Sequence, residues 1–478
     1  MYFGLKKDCY FRRYGDIGLL IKPASSVEKV LNNTGATFVE RLSREPKSID
    51  AIADELYEMF YQSNITRDEI KKDAEDFYKE LVKDNFLFSV DSIENFKEEG
   101  FEYSTLNGKL NFLSLNSNLE ESSSHFLGEY FKTHPTLETF HIELTSKCNE
   151  RCIHCYIPHQ YKNTDIKPEL MKSVLKQCSE MGVLTVIFSG GEPMLHPNFI
   201  EFLKYAKDLD LQVTVLSNLT LLTDDIIGAL KYKNDSIVNV SLYSMIPEVH
   251  DAITTVKGSF YKTKDNIERL IANNIPLQLN CPVMKQNKDS FQDVINWGQN
   301  NKCMVVVDLE IMARYDHSTD NLVNRLDADD IKTAIERQLE NDVLFQKSIK
   351  EGENSTKYDI SADDKVCGVG MSTLCMVANG MVYPCAGWQE YHCGDLNKQT
   401  LKEIWDSSPE VLYLRKLRMK DFPKCLTCDD RNYCKLCIAR NSNESKTGSI
   451  FDVPPSTCEA AKLQREIVEK YRKNKKNG

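Results

Sequence analysis

The stretch TFHIELTSKCNERCIHCY, residues 139–156, decides how the chain is read. Its first seven residues, Thr139 to Thr145, form an apolar and β-branched run of strand length. Three cysteines follow at once, Cys148, Cys152 and Cys155, spaced C-x3-C-x2-C. A strand that runs into a ligand-rich loop is the local plan of an α/β fold, which places its chemistry at the carboxyl ends of the strands. Moving outward, LTVIFSG, QVTVLSN, SIVNVSLY, PLQLNCPV and MVVVDLEI read as further strands. PELMKSVLKQCSEMG, PNFIEFLKYAKDLD and SFYKTKDNIERLIANN lie between them as helices. Repeated alternation predicts a parallel sheet with right-handed crossovers. Over residues 137–315 it predicts an α/β unit, a partial (β/α)6 TIM-like barrel.

The flanks differ in character. Residues 1–92 open with two strand-like runs, CYFRRYG and IGLLIKP, which meet at Asp16 as a hairpin. Three amphipathic segments follow, SVEKVLNNTGATFVERL, SIDAIADELYEMF and TRDEIKKDAEDFYKELVKD, each opening with a helix-start signature. NFLFSV closes the unit, and the pattern predicts a winged-helix-like domain. Residues 93–136, with SLNSNLEESSS inside, read as a linker. A helical bridge at 316–366 leads to a cysteine-rich region at 367–460, and a helix and tail occupy 461–478.

A net charge of −11 argues against nucleic acid or an anionic membrane as a partner. No apolar run reaches the roughly 18 residues of a membrane span. MYFGLKKDCYFRRYGD lacks a signal-peptide core, so a cytoplasmic location is expected. There the 16 cysteines would stay reduced, which favours metal or iron–sulfur ligation over disulfides. Three thiolates at the spacing of Cys148, Cys152 and Cys155 suit three irons of a [4Fe–4S] cube and leave the fourth iron open. A structural zinc site is the alternative, with His154 or His159 as the fourth ligand.

The loop resembles the hallmark of the radical S-adenosylmethionine (SAM) superfamily, C-x3-C-x2-C followed by an aromatic, here Tyr156. The resemblance extends to Gly190-Gly191-Glu192-Pro193, where the family's GGEP motif contacts the SAM amino group. It also takes in Ser217-Asn218 and Ser241, at strand ends where the family often holds SAM. For each serine, an ordinary satisfied strand-end hydroxyl is an equal reading. Where some relatives carry a carboxylate-binding Arg after His250-Asp251, this chain has Thr254, with Lys257 or Arg314 as possible substitutes. The resemblance implies one-electron cleavage of SAM to a 5′-deoxyadenosyl radical that abstracts a substrate hydrogen.

Nine further cysteines lie between 367 and 458, and the region resembles the SPASM extension of peptide-modifying members. That implies two auxiliary [4Fe–4S] clusters, three in all. By this analogy Cys367, Cys375, Cys385 and Cys437 hold the first, and Cys425, Cys428, Cys434 and Cys458 the second. Cys393 is left over, and Cys375 is dispensable if the first cluster keeps an open iron. The x2 gap between Cys434 and Cys437 departs from the usual x3. Zinc-knuckle-like sites are the alternative there. Cys9, Cys178, Cys281 and Cys303 read as buried core thiols, with a hydrogen-donor role for Cys281 as a minor alternative.

Residues 1–92 resemble the RiPP recognition element, a module that binds the leader of a ribosomally made, post-translationally modified peptide by strand addition. These resemblances imply a peptide maturase that installs crosslinks, above all Cys thioethers, as sactipeptide and ranthipeptide enzymes do. A small electron donor such as flavodoxin or ferredoxin is implied with it. Carbon–carbon crosslinking, epimerisation and formylglycine formation are rivals, though sulfatase maturases place Asp where this chain has Ala386. A non-catalytic peptide-binding scaffold is the remaining alternative.

Overall fold

The computed structural model describes residues 1–22, 27–60, 65–96, 130–131, 133–233, 236–354 and 360–476. Most of the stretch expected as a linker, SLNSNLEESSS included, lies outside the described residues. The N-terminal unit contains β1 (Tyr2–Leu5), β2 (Tyr10–Tyr14), β3 (Ile17–Lys22), β4 (Val27–Leu31) and α1 (Asn33–Val39). It continues with β5 (Lys47–Ser48), α2 (Ile49–Phe60), α3 (Arg67–Lys83) and β6 (Leu87–Val90). β2 and β3 form the expected hairpin, and Gly15 takes the left-handed conformation its turn requires, φ +57°. The segment expected as one helix from Ser26 divides instead. Val27–Leu31 pairs antiparallel with β3, and only Asn33–Val39 is helical. The break falls where Asn32 accepts the Gly35 N–H at 2.9 Å and so caps the helix. Strand β1, with no counterpart in the sequence reading, joins β5 to β6. Phe3, Ile52, Leu56, Tyr78 and Leu87 fill the core, and the Tyr78 hydroxyl donates to Phe38 O at 2.8 Å.

The second sheet holds six parallel strands in chain order: β7 (Thr139–Thr145), β8 (Thr185–Gly190), β9 (Gln212–Ser217), β10 (Ile237–Ser241), β11 (Leu277–Pro282) and β12 (Met304–Asp308). Helices such as Pro168–Glu180 and Phe199–Asp208 connect them. Side chains alternate across β7. Phe140, Ile142 and Leu144 enter the main hydrophobic core, while His141 and Glu143 meet Ser189 and Gln389. The expected (β/α)6 architecture is present.

One feature goes beyond it. β13 (Thr373–Met376) pairs in parallel with the free edge of β7, and β14 (Met381–Tyr383) and β15 (Gly394–Asp395) extend the sheet to nine strands. The cysteine-rich region therefore continues the barrel sheet, with Cys375 in register with His141. Arg325 and Glu444 tie the two parts further, at 3.1 and 2.5 Å.

The N-terminal unit is pinned at the opposite pole. Arg12 of β2 bonds Val183 O at 3.1 Å and Asp210 Oδ2 at 3.2 Å, and Arg44 joins the same carboxylate. Val183 and Asp210 lie two residues before the starts of β8 and β9. No helix among the described residues is long and apolar enough to cross a membrane.

Candidate active site

The loop after β7 is held from two sides. Gly191 N donates to Thr145 O at 2.8 Å and Glu192 N to Lys147 O at 2.9 Å. From the other side Arg151 N reaches Thr254 O at 3.1 Å and Ile153 N reaches Ile253 O at 3.0 Å, at the end of the helix Pro247–Thr254. The end of β8 lies so close that a Cβ at Gly190 would collide with Thr145 O, and one at Gly191 with Lys147 O. Gly190 also has φ +122°. Both glycines are needed for the backbone approach.

Cys148, Cys152 and Cys155 come together on this loop, partly exposed. Burial pushes Cys148 up to about 11 and holds Cys152 well above the ordinary thiol range, reinforced there by Glu150 and the other two thiols. Such thiols give up their protons only against a cation, and three of them on one loop fit an iron–sulfur cluster. His154 packs edge-on against Tyr243, ring centres 5.1 Å apart, with Nδ1 buried and unpartnered. Among the described residues, no three His, Cys, Asp or Glu side chains close on a single ion.

The other expected SAM-side residues gather at the same pole. Glu192 is fully buried, and its Oε1 accepts from Ser217 Oγ at 2.8 Å and Met194 N at 3.1 Å. Its Oε2 accepts from Asn218 N at 2.8 Å. Burial raises its carboxyl to about 7, against the pull of those donors. Pro193 is buried at the start of a short 3-10 turn. Asn218 Nδ2 reaches Asn149 Oδ1 at 2.9 Å and so touches the thiol loop. Ser241 hydrogen-bonds the Tyr243 hydroxyl. Thr254 is buried on Ser259, and Arg314 is paired with Asp320 at 2.9 Å. Cys281 is a core thiol bonded to Tyr243 O at 3.6 Å.

Tyr156 turns toward the distal thiols. Its hydroxyl bonds Glu143, and Cys155, Cys375 and Cys385 surround it closely enough to raise its pKa, after burial itself. The distal cysteines fall into two groups. Cys385 is pushed up to about 12 by burial, then by Cys437 and Cys367, and Cys375 neighbours Cys385. Cys434 is raised to about 11 by burial, with Cys458, Cys425 and Cys428 adding to it. The ninth thiol, Cys393, is 3% exposed beneath the first group, near Cys385.

Three residues of the site escaped the sequence reading: Glu143, Glu150 and Lys162. Glu143 is 3% exposed, is raised to about 7 by burial, and accepts from Gln389 Nε2 at 3.1 Å. Only the pairing of β13 with β7 brings Gln389 there. Glu150 carries one local signal, an acid set between two of the loop cysteines. Lys162 Nζ lies 3.5 Å from Cys155 Sγ, and nothing in its local sequence marks it.

The family described as the Radical SAM superfamily matches residues 142–298, and the SPASM iron–sulfur cluster-binding domain matches residues 367–430. An AdoMet-dependent heme synthase of Methanosarcina barkeri is 30% identical over 325 residues, spanning 62% of this chain and 90% of the relative. The chain belongs to the radical SAM superfamily. This radical SAM chain is also 29% identical over 316 residues to the antilisterial bacteriocin subtilosin biosynthesis protein AlbA of Bacillus subtilis, spanning 64% of this chain and 68% of that protein. Its fold is similar to that of Streptococcus suis SuiB in the crystal structure bound to precursor peptide SuiA. The TM-score there is 0.61 at 17% identity, over 95% of this chain and 99% of the other. A radical SAM domain binds SAM and a [4Fe–4S] cluster, and the SPASM region adds auxiliary iron–sulfur binding.

Proposed function

We propose that this enzyme installs thioether crosslinks between cysteine sulfur and carbon in a ribosomally made precursor peptide. The observation that carries the reading is the reach of the likeness to the peptide-bound maturase. It covers 95% of the chain, N-terminal unit included, whereas the heme synthase covers 62%. AlbA, a bacteriocin biosynthesis protein, supports the same class of substrate.

On this reading Cys148, Cys152 and Cys155 hold the SAM-binding cluster, and the two distal quartets hold auxiliary clusters. When bound, SAM and these clusters supply a hydrogen-abstracting radical and a sink for the second electron. The chain's own residues set the geometry. Gly190 and Gly191 let the end of β8 close on the thiol loop. Glu192 ties β8 to β9 through Ser217 and Asn218, and Ser241 and Tyr243 line the neighbouring strand end. The acceptor C–H loses one hydrogen atom, the substrate thiol loses its proton, the C–S bond forms, and one electron leaves. The N-terminal unit acts as the leader-binding module, with β4, the edge strand of its sheet among the described residues, as the site of strand addition. A small acidic donor such as flavodoxin or ferredoxin delivers electrons, in the cytoplasm.

Mass spectrometry of a precursor peptide incubated with enzyme, SAM and reductant tests this. Loss of two hydrogens per crosslink, with a blocked cysteine, is the expected result. Deuterium uptake from solvent without a crosslink means epimerisation and refutes the thioether reading. Turnover of a porphyrin in place of any peptide favours a heme-synthase activity.

A further inference from the structure

The inner face of the barrel carries hydrogen-bonding groups that the proposed chemistry leaves unused. Along β9, β10 and β11 every second residue is buried in the helix-side core: Val213 and Val215, Val238 and Val240, Leu277 and Leu279. The residues between them, Thr214, Leu216, Asn239, Gln278 and Asn280, turn the other way, and all are partly exposed. Val306 of the edge strand β12 stands in register with Asn280 and is 36% exposed, so the interior opens on that side. Interior positions of a TIM-like barrel are ordinarily filled by branched apolar side chains. Here amides occupy them. Asn239 stands in register between Leu216 and Gln278. Its Oδ1 is buried without a hydrogen-bond partner, which is costly unless a donor arrives. Gln278 Nε2 donates to Asn280 Oδ1 at 2.7 Å, which leaves Gln278 Oε1 and Asn280 Nδ2 without partners among the described residues.

Two open acceptors and an open donor on adjacent strands match the N–H and C=O groups of an extended main chain. The charges agree with this. None of the six barrel strands holds a lysine or arginine, and their only carboxylates are Glu143 and Asp308. The propionates of a porphyrin find no cation on these strands, and an acidic peptide side chain meets like charge. We infer that Asn239 and Gln278 bind the main chain of the peptide segment being modified, holding it extended across β10 and β11. Uncharged side chains fit beside Leu216 and Val306. The inference rests on the peptide-substrate reading above and gives that substrate a chemical class at the point of reaction, an extended and neutral stretch.

The test uses full-length, anaerobically reconstituted protein with SAM bound and iron measured in every sample. The probe is a synthetic peptide of alternating alanine and serine, about six residues long, which keeps foreign thiols away from the clusters. Calorimetry gives its affinity, that of a version N-methylated at alternate amides and that of a version with glutamate in place of alanine. Wild type should bind the parent peptide, and either change should weaken binding about tenfold. N239L and Q278L should keep their iron and their SAM affinity. They should bind the parent about tenfold more weakly and no longer distinguish it from the N-methylated version. N239S, a smaller change, should give the same loss. Discrimination retained in either N239L or Q278L, or iron lost from all three variants, would overturn the assignment. So would a wild type indifferent to N-methylation, or one that binds neither peptide nor porphyrin. Wild type that binds iron coproporphyrin and no peptide refutes the peptide-substrate reading itself, a separate result.

Discussion

The two thiol-bearing regions are built on opposite principles. The first places Cys148, Cys152 and Cys155 within eight residues on one loop, and the barrel needs only to hold that loop still. The second gathers cysteines up to 70 residues apart, Cys367 with Cys437, so its geometry exists only after β13 has paired with β7 and the C-terminal segment has returned. A local motif carries its ligand geometry in the chain, while a distributed one borrows it from the fold. The first should fail at the site and the second through the fold.

The widest separation is expected between two cysteine substitutions. On the proposed three-cluster reading, Cys152→Ala should remove about 4 of about 12 irons and abolish SAM cleavage. Cys428→Ala should remove a similar amount yet leave SAM cleavage running uncoupled from crosslinking. Iron analysis with 5′-deoxyadenosine and peptide product quantified side by side checks the pair. Equal loss of SAM cleavage in both would break the comparison.

Glycines separate the regions next. Gly191→Ala forces a Cβ onto the Lys147 backbone, which cannot yield, and should cost on the order of 3 kcal/mol, seen as lost stability and weak SAM binding. Gly380→Ala, at φ +90° in the β13–β14 turn, meets only side chains, those of Asn397 and Leu170, and should cost about 1 kcal/mol. Denaturant melts rank the two. Breaking the tie between the regions comes third. Glu444→Gln leaves Arg325 short of its partner in a mostly buried pair, and a loss of about 2 kcal/mol is expected, with auxiliary iron falling before SAM-site iron.

The last test is a pH dependence at a histidine of the first region. His250, behind the thiol loop, is held down to about 4 by burial, partly offset by Asp251, and its Nδ1 accepts from Tyr243 N at 3.3 Å. The unfolded chain takes up its proton near pH 6.5 and the folded chain only near 4. Stability is therefore full above 6.5 and falls through that window by about 1.4 kcal/mol per pH unit. Melting curves from pH 7 to 5 should slope more steeply in wild type than in His250→Asn. Equal slopes would show that His250 does not contribute to the titration.

The same contrast explains what was legible from the sequence. The six barrel strands and the loop cysteines announce themselves by alternation and spacing, which are local signals. So do the hairpin at Gly15 and the capping box at Thr66 and Glu69. Ser26 and Glu28 mimic a helix start at strand β4, while its pairing with β3 is visible only in three dimensions. The burial of Glu143 and the commitment of Glu192 to Ser217 are likewise contacts between strands. Periodicity holds no trace of them.

The docking of Arg12 and Arg44 on Asp210 has a consequence for the substrate. It fastens the N-terminal unit where the parallel strands begin, whereas the cysteine loop lies where they finish. β8 alone is six residues long, about 20 Å at the usual rise per residue. On the proposed leader-binding reading, a peptide gripped by that unit must run the length of a strand before its reactive residues arrive. The enzyme would then act as a ruler: precursors with fewer than about six residues between the gripped segment and the first modified position would be held firmly and left unaltered.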